Sequence, residues 1–225
     1  MLPFLPSFDV SDDAAEKVGR EVRARYPLPE RFMFYPAQFW PHKNHANLVR
    51  ALSLIKKQTG LAINLVLCGS HSGEIREKTY SEVMVLANEH NVSEQIHYLG
   101  YVKEGEMVGF YKEAVALVMP TFFGPTNIPV VEAWALGCPV LTSDLRGIRE
   151  QVGDAGLLAD PRSAEALASA MARLWTDKAL CQELIRRGKQ RQASYTPEDF
   201  RLRLAAIIEE GVQRVQQGDA PKFPE

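Results

Sequence analysis

Residues 121–140 read TFFGPTNIPVVEAWALGCPV, a strand end, a Gly/Pro loop and a helix in direct succession. The pattern predicts a buried strand over residues 115–119 and a helix that opens near Asn127, carries Pro129 in its first turn and ends at Gly137. Such a helix start leaves backbone N–H groups without intrahelical partners, and the helix dipole favours an anion there. The segment therefore predicts a phosphate-binding site.

Two further residues of this segment extend the prediction. Glu132 lies one turn inside the helix, where its carboxylate can accept hydrogen bonds from two neighbouring hydroxyls, such as those of a ribose. Gly124 lets a ligand approach the backbone closely. A phosphate site beside an acceptor for a diol predicts that the ligand is a nucleotide.

Strand and helix patterns alternate along most of the chain. Strands are predicted at residues 32–35, 62–68, 95–99, 115–119, 140–142 and 156–158, and helices at 14–26, from about 44, at 74–90, 104–114, 163–175, 178–192 and 197–216. Residues 144–147 are predicted as a loop, and Ile75, Val83 and Leu86 as the inward face of their helix. Strands alternating with helices predict a parallel sheet covered on both faces.

Lys43 is the candidate cation for the phosphates. It lies in the loop 36–45, between a predicted strand and a helix for which Asn44 or a neighbour is expected to be the N-cap. Parallel α/β sheets bind ligands at the carboxyl ends of their strands. We therefore expect Lys43 to lie near the predicted nucleotide.

Composition narrows the class of protein. The 225 residues are 46% hydrophobic, enough for one α/β domain or two small ones, and the net charge is −2. Without a Lys/Arg-rich run, nucleic acid is not an expected partner.

Three widely spaced cysteines suggest free thiols in a reducing compartment, and no segment reads as a secretory signal or a membrane span. We expect a cytoplasmic protein.

Several chemistries lack their motifs. The sequence has no Gly-x-Gly-x-x-Gly after a strand, no Gly-Lys-Ser/Thr loop, no Asp-x-Asp and no nucleophile elbow. His42 and His45 lie three residues apart but lack the Cys or Glu partners typical of a metal site. We therefore expect no metal and no cofactor.

The loop that carries Lys43 and the segment that carries Glu132 resemble the C-terminal, nucleotide-sugar-binding half of retaining GT-B glycosyltransferases of family 4. The resemblance runs from about residue 32 onward and rests on the loop 36–45 and residues 95–102, 124–140 and 141–158. It implies an α/β fold with a Rossmann-like parallel sheet and helices on both faces.

The resemblance also implies a domain division. The Rossmann-like donor-binding domain is expected at residues 31–217, after an entry segment and linker helix at 1–30 and before a disordered tail at 218–225. Family members carry an N-terminal acceptor domain as well. We expect that domain to be missing here, which would explain why the apolar residues 1–8 have no obvious partner.

The resemblance assigns roles to single positions. Glu132 matches the second glutamate of the family's Glu-(any seven)-Glu motif, which holds the ribose hydroxyls, and the first glutamate falls at Gly124. Lys43 matches the lysine that grips the diphosphate, while the paired arginine is replaced by Gln38. Lys43 and Glu132 are thus the expected catalytic residues. The further expected donor contacts are Gln38, Gly69, Tyr101, Val102, Gly124, Thr126, Asn127, Ile128, Pro129 and Val130.

By this resemblance the chain is a transferase of bacterial surface-polysaccharide synthesis, using a GDP- or UDP-linked mannose or related hexose. The acceptor would be a glycan or a lipid-linked sugar, and the full-length enzyme would work in the cytoplasm, peripherally at the inner membrane face. Without its acceptor domain the chain should bind donor but not transfer sugar.

Three alternatives remain open at this point. The chain could be a nucleotide-sugar epimerase of similar architecture, a non-catalytic nucleotide-sugar-binding module, as Gly124 and Gln38 suggest, or an interaction domain with an empty pocket. Phe39, Trp40 and Tyr101 either line a base pocket or pack in the core, and Trp134 is expected in the core.

Overall fold

The computed structural model describes residue 6 and residues 11–124, 127–193 and 196–217. Its centre is a sheet of six strands: β1 Met33–Pro36, β2 Leu65–Cys68, β3 Ile96–Tyr98, β4 Ala116–Met119, β5 Val140–Ser143 and β6 Leu157–Ala159. All pairings are parallel, and the strand order is β3-β2-β1-β4-β5-β6. The predicted Rossmann-like α/β fold is confirmed.

The helices of the described residues flank this sheet. They are α1 Asp12–Arg25, α2 His45–Thr59, α3 Glu74–Glu89, α4 Glu104–Glu113, α5 Ile128–Ala135, α6 Arg146–Val152, α7 Ala164–Thr176, α8 Lys178–Ala193 and α9 Pro197–Gln216. Helix α1 packs on α4, α2 contacts both α3 and α7, and α5 packs on α8. Every residue of β2, β4 and β5 is buried, as expected for a parallel sheet covered on both faces.

Helix α1 is part of the packed core. Ala15 and Val22 are buried, and α1 lies so close to α4 that a Cβ on Gly109 would come within 2.7 Å of the Val18 carbonyl oxygen. The segment expected to be a linker helix therefore contributes to the core.

Two details differ from the sequence predictions. Ile75, expected to point inward, is 57% exposed because it lies in the first turn of α3, whereas Val83 further along is buried as predicted. Helix α6 was not predicted, and it begins inside the expected loop 144–147. It is one short helix without a side-chain cap, so its sequence carries a weak signal.

Helix α9 has no buried residue. Its exposed apolar side chains are Leu202, Leu204, Ile207, Ile208, Val212 and Val215. No helix in the described part of the chain is long and apolar enough to cross a bilayer. The predicted tail 218–225 and most of the apolar segment 1–8 lie outside the described residues.

Candidate functional site

The predicted site residues gather at the carboxyl edge of the sheet. The chain runs from β1 outward to β2 and β3 and returns to β4 on the other side of β1. The switch point between β1 and β4 is where open α/β sheets bind ligands. The loops that follow β1, β2, β3 and β4, together with the helix α5 after β4, carry the predicted contacts.

A pocket of about 390 Å³ opens at this edge. It is lined by Pro36, Tyr101, Val102, Glu104, Met107, Tyr111, Ile128, Pro129 and Glu132. The structure thus brings together five residues proposed from sequence: Tyr101, Val102, Ile128, Pro129 and Glu132. Largely apolar walls with a carboxylate among them suit a flat base joined to a hydroxylated sugar.

Glu132 lies in the pocket wall and is only 8% exposed. Its Oε2 accepts a 2.8 Å hydrogen bond from the hydroxyl of Tyr111, a buried residue of α4. Burial, and next the nearby Glu132 charge, raise the pKa of Tyr111 well above its usual value, so the hydroxyl stays protonated and remains a donor. A carboxylate has about four acceptor sites, so hydroxyls of a ligand can bind to it alongside a protein donor.

Lys43 ends a 3₁₀ turn, Pro41–Lys43, between β1 and α2. Its backbone is fixed on both sides: its N–H donates to the Trp40 carbonyl at 2.9 Å, and its carbonyl accepts from the Tyr35 hydroxyl at 2.9 Å. Burial lowers the pKa of the half-buried Lys43 ammonium. A partly desolvated cation on a fixed backbone is suited to bind an anion strongly.

Asn44 has a different role from the predicted cap. It occupies the N-cap position of α2 in the left-handed region, with φ 61°, but its side chain makes no cap hydrogen bond. Instead, its Nδ2 donates to the carbonyls of Pro120 at 2.9 Å and Pro161 at 2.7 Å. These bonds tie the Lys43 loop to the segments that follow β4 and β6.

The start of α5 offers fewer amides than the sequence suggested. Pro129 has no N–H, and the N–H of Val130 donates to the Asn127 carbonyl at 2.9 Å. Asn127 is the N-cap residue, with φ 45°, and its Nδ2 donates to Gln151 at 2.9 Å. Thr126, another predicted contact, lies outside the described residues. An anion at this helix start would therefore depend more on the dipole and on Lys43.

Gly124 lies against the side chain of Asn127. A Cβ at position 124 would come within 2.3 Å of Asn127 Oδ1, well inside the closest approach of two such atoms. A glutamate at position 124 therefore does not fit this loop unless Asn127 moves.

Gln38 holds a cationic side chain that the sequence did not point to. Its Oε1 accepts hydrogen bonds from Arg76 Nη1 at 2.9 Å and from Trp40 Nε1 at 3.0 Å. The Arg76 guanidinium also lies over the Trp40 ring, 5.0 Å from its centre. Sequence reasoning missed Arg76 because this residue lies in the first turn of α3, far from the loop after β1.

Gly69, another predicted contact, has a packing role. Its φ is 136°, and a Cβ there would come within 2.6 Å of the Ala37 carbonyl. Its N–H donates to the Gly100 carbonyl at 2.8 Å. Gly69 therefore lets the loops after β1, β2 and β3 meet at one edge.

Of the aromatic residues singled out from the sequence, two are buried and two are exposed. Phe39 is fully buried, with its ring 4.3 Å from that of His45, so it packs in the core. Tyr101 is 78% exposed at the pocket rim, and Trp40 is 36% exposed beside Arg76. Trp134 is buried, as expected, and donates to the Ala155 carbonyl at 2.9 Å.

The described residues contain no group of three or more His, Cys, Asp or Glu side chains placed to hold a metal ion. His45 is buried beside the rings of Tyr35 and Phe39, and burial lowers its pKa to about 3. The cysteines are free: Cys68 and Cys138 are buried and Cys181 is partly so.

The fold and the pocket at its switch point define a ligand-binding α/β protein. The chain belongs to the family of glycosyl transferases group 1, whose model matches residues 20–191. It is similar to O-antigen chain mannosyltransferase B of Escherichia coli, with 31% identity over 150 residues, 66% of this chain and 38% of that protein. It is also similar to the serotype-specific mannosyltransferase WbdA of Escherichia coli, with 24% identity over 178 residues, 79% of this chain and 21% of that protein.

Solved structures confirm the GT-B type of fold. A sucrose-phosphate synthase from Thermosynechococcus elongatus superposes with a TM-score of 0.73 at 24% identity, over 92% of this chain and 49% of that one. The chain thus spans less than half the length of each of these three proteins.

Proposed function

We propose that this chain is the donor-binding domain of a retaining glycosyltransferase that uses a GDP- or UDP-linked mannose or related hexose to build bacterial surface polysaccharide. The single observation that carries this proposal is the pocket at the switch point, which has Glu132 in its wall and an exposed aromatic rim at Tyr101. Membership of the glycosyl transferase family supports sugar transfer, and the two mannosyltransferase relatives support mannose.

The pocket suggests how the nucleoside binds. The base would lie against Tyr101 and Val102, with the ribose toward Glu132, whose carboxylate Tyr111 holds in place. Two vicinal hydroxyls on one carboxylate provide charge-assisted hydrogen bonds, which are about twice as strong as neutral ones.

The diphosphate would extend from the ribose toward Lys43 and the start of α5. The half-buried ammonium and the positive end of the α5 dipole both favour negative charge. In the reaction, the bond from the anomeric carbon to the diphosphate oxygen breaks, and a bond to the acceptor oxygen forms on the same face. The acceptor proton passes to the departing phosphate. Lys43 stabilises the charge that develops on that leaving group, so catalysis is mainly electrostatic.

Transfer would require a second domain. The pocket lies on an open face of the chain, while sugar transfer needs acceptor and donor held in attack geometry with water excluded. We propose that an N-terminal acceptor domain of a longer cytoplasmic enzyme closes this face over a glycan or lipid-linked acceptor. This 225-residue chain would then bind donor without transferring it.

One observation favours a second candidate, a nucleotide-sugar-binding module without catalysis. The first glutamate of the family motif is absent at Gly124, where a larger side chain would require the Asn127 side chain to move. Such a module would bind the same ligand, and only a transfer assay on a two-domain enzyme separates the two.

The first experiment is a calorimetric screen of the purified chain with GDP, UDP, GDP-mannose, UDP-glucose and, as a control for nonspecific phosphate binding, tripolyphosphate. We expect saturable binding of one nucleoside diphosphate and its sugar, and a rise in Tm that grows with ligand concentration. Binding of tripolyphosphate alone, or of no nucleotide, would refute the proposed function.

A transfer assay with the preferred radiolabelled donor then compares this chain with a version joined to an acceptor domain. We expect product only from the two-domain protein. Absence of product from both, with donor binding intact, would favour the non-catalytic module. Robust transfer by the 225 residues would show that no second domain is needed.

A further inference from the structure

Arg76 is held in position by three neighbours. Its side chain folds back toward the start of α3, so close to Gly73 that a Cβ there would lie 3.2 Å from Nη2. Nη1 donates to Gln38 Oε1 at 2.9 Å, and the guanidinium plane faces Trp40 with its carbon 5.0 Å from the ring centre. A flexible side chain fixed by three contacts has already lost much of the entropy that binding would otherwise remove.

The charge of Arg76 is not neutralised by these neighbours. Its recorded partners are a neutral amide and an aromatic ring. On the same helix, Glu77 accepts from the Gly73 N–H and Lys78 pairs with Glu82. Over the residues that the structure describes, Arg76 takes part in no ion pair. A preorganised guanidinium of this kind retains donors for an anion.

Its contacts with Gln38 and Trp40 place it beside the loop after β1, which also carries Lys43. Gln38 lies two residues after Pro36, which lines the pocket. Trp40, the residue against which Arg76 stacks, accepts a hydrogen bond through its carbonyl from the N–H of Lys43. Arg76, in the first turn of α3, therefore stacks on the same tryptophan whose backbone carbonyl accepts from the Lys43 N–H.

We propose that Arg76 is a second diphosphate-binding cation, held in place by its hydrogen bond to Gln38. This inference rests on the proposed function and adds to it a residue from a different element. A donor diphosphate carries at least two negative charges, which a single lysine does not balance, and a guanidinium fork can bind phosphate oxygens in bidentate fashion. In this arrangement Gln38 acts as a positioning residue for Arg76. Its Oε1 is bonded to Cδ, as the first guanidinium nitrogen of an arginine at position 38 would be.

The test compares the affinities of GDP and UDP with those of guanosine and uridine. Arg76→Ala should weaken binding of the preferred nucleoside diphosphate about tenfold or more, the usual effect of losing a charged hydrogen bond. Its affinity for the nucleoside should change by less than about twofold. The loss should shrink as salt is raised from 0.05 to about 0.5 M, since salt screens the interaction. The matched control is Lys78→Ala, which removes one positive charge from the same helix and should change neither affinity.

A rescue variant makes the test specific. Gln38→Arg in the Arg76→Ala background supplies a guanidinium from the loop after β1 in place of the one lost from α3. We expect it to restore most of the affinity for the nucleoside diphosphate. Arg76→Gln keeps a hydrogen-bonding side chain beside Gln38 but removes the charge, so it should lose as much affinity for the nucleoside diphosphate as Arg76→Ala. It controls for the possibility that Arg76→Ala loses affinity through a folding defect.

The outcomes separate this inference from the proposed function. If the wild-type protein binds the nucleoside diphosphate and Arg76→Ala binds it equally, the inference is wrong and the proposed function stands. Equal losses for nucleoside and nucleoside diphosphate would likewise assign Arg76 to loop packing. If the wild-type protein binds no nucleotide, the proposed function fails and this inference fails with it.

Discussion

Tyr111 of α4 donates a 2.8 Å hydrogen bond to Oε2 of Glu132 in α5, across the pocket wall that both residues line. A buried hydroxyl donor of this kind limits the rotation of the carboxylate and offsets part of the cost of burying its charge. The pair links the packing of two helices to the position of the expected ribose acceptor.

Tyr111→Phe should therefore weaken nucleotide binding by roughly three- to tenfold and lower the free energy of unfolding by about 1–2 kcal/mol, since the buried Glu132 loses a partner. Calorimetry and urea denaturation measure the two effects. The effects on binding should overlap with those of Glu132→Gln, so the double variant should lose less affinity than the sum of the two singles. Additive losses would show that Tyr111 does not act through Glu132.

Glu132→Gln should weaken binding of the preferred nucleotide by about 1.5–3 kcal/mol, the range for a charged hydrogen-bond partner. Binding of the corresponding 2′,3′-dideoxy nucleotide should be affected much less, because that ligand lacks both hydroxyls. Glu209→Gln on the exposed helix α9 is the matched control. Identical affinities for wild type and Glu132→Gln would remove Glu132 from the site.

Lys43→Ala should reduce affinity for a nucleoside diphosphate far more than for the nucleoside, and the difference should shrink with rising salt. The physical reason is that the Lys43 ammonium is partly desolvated, so its attraction for phosphate is less weakened by water. Lys57→Ala, an exposed lysine near the other end of α2, serves as control. If both ligands lose affinity equally, Lys43 shapes the pocket instead of binding phosphate.

Gly124→Ala should destabilise the loop before α5, because its Cβ would meet Asn127 Oδ1. We expect a loss of about 1–3 kcal/mol in the free energy of unfolding, typical of overpacking. Asn127→Gly removes the obstructing oxygen and tolerates the positive φ of that position. The double variant should therefore be more stable than additivity predicts. An Ala at 124 that is neutral on its own would mean that the loop relaxes freely.

His45 should make stability depend on pH. Burial lowers its pKa in the folded protein to about 3, from an ordinary value of 6.5. A base whose pKa is depressed on folding binds fewer protons in the folded state, so this contribution to stability is complete above about pH 6.5 and is lost as pH falls toward 3. The loss attributable to His45 is on the order of several kcal/mol.

The measurement is urea denaturation of wild type and His45→Phe between pH 7.5 and about 4. The phenylalanine keeps a ring beside Phe39 and removes the titrating group, so its stability should fall less steeply with acid. His90→Gln, at the end of α3, controls for loss of a surface imidazole. Parallel curves for wild type and His45→Phe would contradict this account.

The sequence by itself determined the order of the strands and of every described α-helix except α6. Apolar runs such as residues 115–119 mark buried strands because a parallel sheet hides both of its faces. The start of α5 at Asn127 and the placement of Glu132 inside that helix followed from local turn and helix chemistry. Signals of this kind depend on neighbours in the chain, and they were confirmed to within a few residues.

Only the tertiary structure decided which side chains meet. The contacts of Tyr111 with Glu132 and of Arg76 with Gln38 join residues on different elements, and no periodicity in the chain relates them. Likewise, Asn44 binds two distant carbonyls instead of capping its own helix. Local sequence patterns report whether a residue is buried, whereas the partner of a polar group depends on how loops pack at the sheet edge. That packing brings the Arg76 guanidinium against Gln38 of the loop after β1.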